Sequence, residues 1–235
     1  MKAKLDSRKS VRINWFKQEN VSFIKKRTIQ WSYSNYNIEL DVITPEIYIN
    51  YVFSGIKNPI PGTNMIIFAD GLPHAYMHTS GSIGDKFLTD KSLNNDVEAV
   101  DRIVRIDRGE EKVSKKPVQP HEAHLYKEIQ IHERQDKIIR KLTLKNESPK
   151  LIRDFELTFI ETKEIRFISS NPVPSEKDVP EYKWKIEIPP EGSVAIELNL
   201  ENYIKNTYKI EKEKDKSDKN LPHQPRSMHN INEIK

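Results

Sequence analysis

Imidazoles and carboxylates set the limits of the chemistry this chain could perform. The densest group is His121-Glu122-Ala123-His124, with His132 further along. A helical metalloprotease site needs two histidines at i and i+4 with a glutamate between, so that both rings face one ion. Here the spacing is i and i+3, and on an extended strand those rings point to opposite faces. Joint ligation by His121 and His124 would need a turn or bulge, and the expectation is that they hold no metal. His74 and His78 share a strand face but stand about 13 Å apart in extended chain, as surface residues would. Asp70, Asp85, Asp90 and Asp96 could supply a carboxylate pair or a calcium site, yet each falls where a turn favours aspartate.

Other chemistries lack their parts. No serine-centred elbow is present, and Gly81-Ser82-Ile83-Gly84 is followed by neither the lysine nor the helix of a phosphate loop. Cysteine is absent, which removes disulfides, thiolate metal sites and thiol nucleophiles together. The sequence therefore predicts no catalytic residue, no metal ligand and no cofactor.

Charge is more informative than chemistry. The chain has 235 residues and a net charge of +4, but residues 1–27 hold nine Lys and Arg against Asp6 and Glu19, a local net of +7. The remainder is therefore acidic by three charges. Arg8, Lys9, Arg12, Lys17, Lys25, Lys26 and Arg27 are the candidate partner-binding residues of this basic arm. Two readings of the arm stand. It is a solvated segment, or it is a nucleic-acid or ribosomal contact in which Trp15, Phe16 and Phe23 stack between cations. Trp15 and Phe23 are expected to anchor the first strands in the core; found exposed, they would mark a partner surface.

The elements that must position these residues follow a period of two. Tyr182, Trp184, Ile186 and Ile188 alternate with Lys183, Lys185 and Glu187, and after Pro189-Pro190-Glu191-Gly192 the series Val194, Ile196, Leu198, Leu200 continues the pattern. Such alternation means strand, with one apolar face that another layer must cover. Strands are likewise expected at 11–15, 29–33, 36–42, 47–53, either side of the Asp70-Gly71 turn, 96–107 with a bulge between 97 and 100, 155–159 and 165–167. Residues 138–144 are expected to fold back on 125–131 across 133–136. Residues 55–64 and 108–120 read as loops. One short helix is expected over 201–208, where Tyr203, Ile204 and Tyr208 would share a face.

Composition supports a polar globular chain. Hydrophobic residues make up 36% and charged residues 31%, and no window approaches the ~20 apolar residues of a membrane-spanning helix. The start, residues 1–10, has no apolar stretch of a signal peptide, and the expected location is cytoplasmic. Abundant Lys, Glu and Ile without Cys fits a hot environment or an AT-rich genome alike.

Several short motifs occur in a recognisable order: Trp31-Ser-Tyr-Ser-Asn-Tyr36, Asn64-Met-Ile-Ile-Phe-Ala-Asp-Gly71, Gly84-Asp85-Lys-Phe-Leu88, Asn95-Asp-Val97 leading to Arg105, Leu144-Lys-Asn146, and Trp184 with Pro189-Pro190-Glu-Gly192. This series resembles the β-rich C-terminal domain of mucoidy-inhibitor-A-like proteins, over about residues 20–200. The resemblance implies a two-part all-β body and no reaction. The coiled-coil and N-terminal portions that often precede that domain are not expected here.

The expected fold is thus all-β, with two packed antiparallel units of sandwich type. A basic arm, 1–27, runs into a first unit, 11–108; a sandwich, 121–202, and a flexible charged tail, 209–235, follow. The expected function is a non-enzymatic binding or assembly module, acting through sheet edges and charged arms on a protein partner or on its own copies. The alternatives are a nucleic-acid or ribosome-associated factor using the basic arm, and a metal-dependent hydrolase at His121 and His124.

Overall fold

The computed structural model describes residues 18–69, 71–94 and 96–212, and no helix occurs among them. In chain order the strands are β1 (Ser22–Trp31), β2 (Val42–Ile43), β3 (Tyr48–Ser54), β4 (Pro61–Ala69), β5 (Leu72–Ile83), β6 (Lys86–Leu88), β7 (Ser92–Leu93) and β8 (Val97–Asp107). They continue with β9 (Lys112–Lys116), β10 (Tyr126–Asn146), β11 (Ile152–Ile160), β12 (Ile165–Asn171), β13 (Glu176–Asp178), β14 (Glu181–Ile188) and β15 (Ser193–Glu211). Nine form one sheet in the order β13-β14-β11-β1-β3-β6-β5-β4, with β7 also paired to β3; six form a second, β12-β15-β10-β8-β2, with β9 paired to β10.

Alternation explains why two sheets meet. Tyr182, Trp184, Ile186 and Ile188 of β14 and Phe155, Leu157 and Phe159 of β11 are buried from one sheet. Ile196, Leu198 and Leu200 of β15 and Ile138, Leu142 and Leu144 of β10 are buried from the other, in the same hydrophobic cluster. Burying each such side chain contributes roughly 1.5–3 kcal/mol, so a dozen of them dominate the stability.

The chain divides into two compact units, Met1–Glu110 with Gln135–Ile204 and Glu111–Arg134 with Lys205–Lys235. These are not the successive halves, 11–108 and 121–202, that the sequence suggests. β1 lies between β3 and β11, and it runs parallel to β11, with Arg27 opposite Phe155 and Trp31 opposite Phe159. The pairing is therefore not wholly antiparallel. The parallel pairing sets Ile29 of β1, which is fully buried, beside Leu157 of β11 in one hydrophobic cluster.

Polar residues also take inward positions. On β8 the inward series is Val97, Ala99, Asp101; on β10 it is Asp136, Ile138, Arg140, Leu142, Leu144, Asn146. Arg140 is fully buried, and its Nε donates to both carboxylate oxygens of Asp101 at 3.1 Å. Its Nη1 donates to the carbonyl oxygens of Ile38 at 2.6 Å and Leu40 at 2.9 Å, and its Nη2 to that of Asp101 at 3.4 Å. The Tyr33 hydroxyl donates to Asp101 Oδ2 at 2.7 Å. Burial first, and then the Asp101 carboxylate, push the Tyr33 hydroxyl well above its ordinary range.

That guanidinium explains why residues 36–42 are not the expected strand. The chain turns over Asn35–Glu39, where Asn37 Oδ1 accepts the Ser34 amide at 2.7 Å and the Ile38 amide bonds back to Ser34 O at 3.0 Å. Only β2 remains extended, and the turn's carbonyls face Arg140 instead of a sheet partner.

Other expectations change for similar reasons. Residues 126–131 and 138–144 belong to one strand, β10, and each half has its own partner: Ile129 to Glu133 pair with β9, and Lys137 to Asn146 with β8. The loop over 108–120 therefore contains β9, and β4 reaches back into the expected loop at Pro61. The irregularity falls opposite Ile139/Arg140, where Val104 is the extra residue, and not at 97–100.

Residues 201–208 are strand, since β15 runs on to Glu211. Here pairing with β10 extends the strand without an apolar face, and ion pairs decorate the smaller unit: Lys205–Glu133 at 2.7 Å, Lys209–Glu122 at 2.6 Å and, from β9 to β10, Lys115–Glu128 at 2.9 Å. Residues 209–211 of the expected tail are thus strand, and residues 213–235 lie outside the described set, as do the strand expected at 11–15 and Asp70.

One glycine is fixed by close approach. A Cβ at Gly109 would collide with the backbone carbonyl of Gln135, while the Gly109 amide donates to the buried Asp136 Oδ1 at 3.0 Å. Gly109→Ala is expected to lower stability by ~1–3 kcal/mol, measured by urea unfolding, as for other overpacked sites.

Candidate functional site

Strand parity sorts the basic residues of β1. Phe23, Lys25 and Arg27 lie on the face that carries Ile29 into the core, and Ile24 and Lys26 lie on the other. Antiparallel pairing places Phe53, Tyr51 and Ile49 of β3 directly opposite Phe23, Lys25 and Arg27, so these side chains share one surface. Beyond Ile29 that surface leaves the core and becomes the floor of a groove of about 500 Å³. Ile67 and Phe68 of β4, His74 of β5, Asp96, and residues 148–152 make its walls.

Asn146 holds one of those walls in place. Its Nδ2 donates to the carbonyls of Lys150 at 2.8 Å and Pro189 at 2.9 Å, and its Oδ1 accepts the Ser148 amide at 2.9 Å. A buried amide with both ends used fixes a turn that hydrophobic packing alone would leave loose.

The floor is charged and incompletely satisfied. Lys25 Nζ reaches Asp96 Oδ2 at 2.6 Å and Arg27 Nη2 reaches the same oxygen at 3.1 Å. The Lys25 hydrogen bond, helped by Arg27, holds the Asp96 carboxyl below its usual range against the opposing effect of burial. Burial first, with the Asp96 charge, raises the Tyr51 hydroxyl. Four buried side-chain polar atoms lack a hydrogen-bond partner among the described residues; two are Tyr51 Oη and Arg27 Nε, both on this floor, and the others belong to Asn202. Buried polar groups are nearly always paired, so two orphans in one groove single it out.

Aromatic surface adjoins the charge. Phe23 is 59% exposed and Phe68 60%, so Phe23 is not the core anchor the sequence suggests. The reason is its position at the start of β1, past the end of the hydrophobic cluster. Phe23 leans on Phe53 at 5.7 Å between ring centres, and Phe53 stacks on Phe87 at 4.4 Å.

The candidate arm residues thus separate. Lys25 and Arg27 meet at Asp96, while Lys26 pairs with Glu156 at 3.0 Å on the opposite face of the sheet. Arg8, Lys9, Arg12 and Lys17, with Trp15 and Phe16, lie outside the described residues.

The histidines disperse. His121 and His124 are exposed in the turn before β10, and Glu122 between them is taken by Lys209 at 2.6 Å, which holds its carboxyl low. His132 pairs with Glu111 at 3.1 Å, and His78 with Asp90 at 3.1 Å. Among the described residues, no three His, Asp or Glu side chains gather at metal-ligand spacing.

No protein-family model, curated protein or solved structure matches this chain.

The groove has a defined response to acid. A carboxyl whose folded pKa is depressed contributes stability above its unfolded pKa and loses that contribution as pH falls through the folded value. Wild-type protein should therefore exceed Asp96→Asn in thermal midpoint above about pH 5, with the difference shrinking as pH drops through the depressed Asp96 range. Thermal scans of both proteins across that window measure it.

Proposed function

We propose that the chain is a non-enzymatic binding module that takes an acidic, partly apolar protein segment into the groove floored by Lys25, Arg27 and Tyr51. The observation that carries this reading is the pair of buried, unpartnered donors, Tyr51 Oη and Arg27 Nε, beside two exposed phenylalanines. A carboxylate seated there would complete the hydrogen bonding of the floor, and its neighbouring apolar groups would cover Phe23 and Phe68. Among the described lining residues the cations Lys25, Arg27 and Lys150 outnumber the carboxylate Asp96, so the groove favours an anion.

A protein segment fits better than nucleic acid. Phosphate tracking needs a run of cations free to displace counterions. Among the described residues β1 offers no such run: Lys26 pairs with Glu156 on the opposite face of the sheet, which leaves two cations of β1, Lys25 and Arg27, on the groove floor. The resemblance to the β-rich domain of mucoidy-inhibitor-A-like proteins is part of this proposal and brings no reaction with it.

Isothermal titration with capped peptides alternating Glu and Phe, at low salt, tests the reading. Saturable binding is expected, weakened about tenfold by Lys25→Gln, an effect of ~1.4 kcal/mol. Tyr51→Phe should weaken it while leaving the circular-dichroism spectrum unchanged. Binding of oligouridylate without peptide binding would transfer the function to nucleic acid, and binding of neither would remove it.

A further inference from the structure

We infer that the outer edge of β4 is a self-association surface, at which a second copy of this chain adds its own β4 antiparallel. β4 ends the nine-stranded sheet, with β5 on one side and no strand on the other among the described residues. Its unpaired amides and carbonyls are a template for a further strand. Native edges are ordinarily blunted by charge, proline or shortness, and the other edges of this protein are. β13 consists of Glu176, Lys177 and Asp178, β2 has two residues, β12 carries Arg166, and β9 carries Lys112, Lys115 and Lys116.

β4 is less defended than these: its only irregularity against β5 falls near its end, between Ile67 and Phe68. Its nine residues, Pro-Gly-Thr-Asn-Met-Ile-Ile-Phe-Ala, include no charge, and its one proline stands at the first position. Met65 and Ile67 face inward opposite Met77 and Ala75 of β5, which leaves Ile66 46% exposed on the outer side with Tyr76 opposite it at 75%.

The charge pattern selects the occupant. An edge that bound a charged partner segment would carry the opposite charge to fix register. A neutral edge meets its own copy without repulsion, and a two-fold antiparallel pairing makes it complementary to itself. Elsewhere the described surface is dense in ion pairs, so a nine-residue uncharged edge stands out as the place where two copies meet without burying a charge.

Sedimentation equilibrium of the full chain over a wide concentration range, with hydrogen exchange at low and high concentration, tests this. The wild type is expected to dimerise reversibly, with slowed exchange confined to residues 61–69 in the dimer. Ile66→Lys should raise the dissociation constant at least about tenfold, and Thr63→Lys, on the same edge strand and exposed, should do likewise if Ile66→Lys perturbs folding. Tyr76→Lys, on the same outward face but one strand in from the edge, should leave the dimer intact. A wild type that is monomeric throughout, exchange in 61–69 that ignores concentration, or dissociation by Tyr76→Lys equal to that by Ile66→Lys would overturn the proposal, the last by pointing to face stacking.

Discussion

Everything in the larger unit is arranged about one buried ion pair. Arg140 and Asp101 lie between two hydrophobic sheets with no access to water, and their desolvation is tolerated because the guanidinium has an acceptor for each of its hydrogen-bonding nitrogens. Those acceptors are not interchangeable. Asp101 belongs to β8, while the Ile38 and Leu40 carbonyls belong to the turn that leads into β2. One side chain on β10 thus fixes the neighbouring strand and a connection about a hundred residues earlier in the chain, and Tyr33 closes the arrangement by donating to the same carboxylate.

The same logic, left unfinished, describes the groove. Lys25 and Arg27 share Asp96 much as Arg140 uses Asp101, but the pairing stands at the end of the core, where exposed aromatics replace a covering sheet. Inside the core each nitrogen of Arg140 has an acceptor; on the groove floor Arg27 Nε and Tyr51 Oη have no partner among the described residues. A closed polar network specifies a fold and an open one invites a ligand, because an unpaired buried donor costs free energy until something satisfies it. Fold and binding are therefore two uses of one device.

Much of the architecture was legible in the chain itself. The alternation at 182–200 gave both β14 and the first part of β15, and the Asp70-Gly71 signal gave the β4–β5 hairpin, because local pattern and tertiary burial agree there. What stayed hidden was non-local. Nothing local announces that β1 pairs in parallel with β11, and that pairing dissolves the division into successive halves. The smaller unit was hidden because residues 205–211 are exposed and carry no buried apolar face, so periodicity had nothing to report. The site was partly visible. Lys25 and Arg27 share the parity of Ile29, and Asp101 and Arg140 occupy apolar-parity places in alternating strands; charges at such places are the available sign of a buried pair. Tyr51 and Phe68 gave no comparable sign, since an aromatic on a strand is ordinarily core.

Arg140 and Asp101 act as a pair in fixing β8, β10 and the turn before β2. Urea unfolding of Asp101→Leu, Arg140→Met and the double variant tests this most directly. Each single change should cost ~3–5 kcal/mol by stranding the other charge in the core, and the double variant should be more stable than either. Single variants within about 0.5 kcal/mol of wild type, or a double variant whose loss equals the sum of the two, would mean that the two charges do not act as a pair.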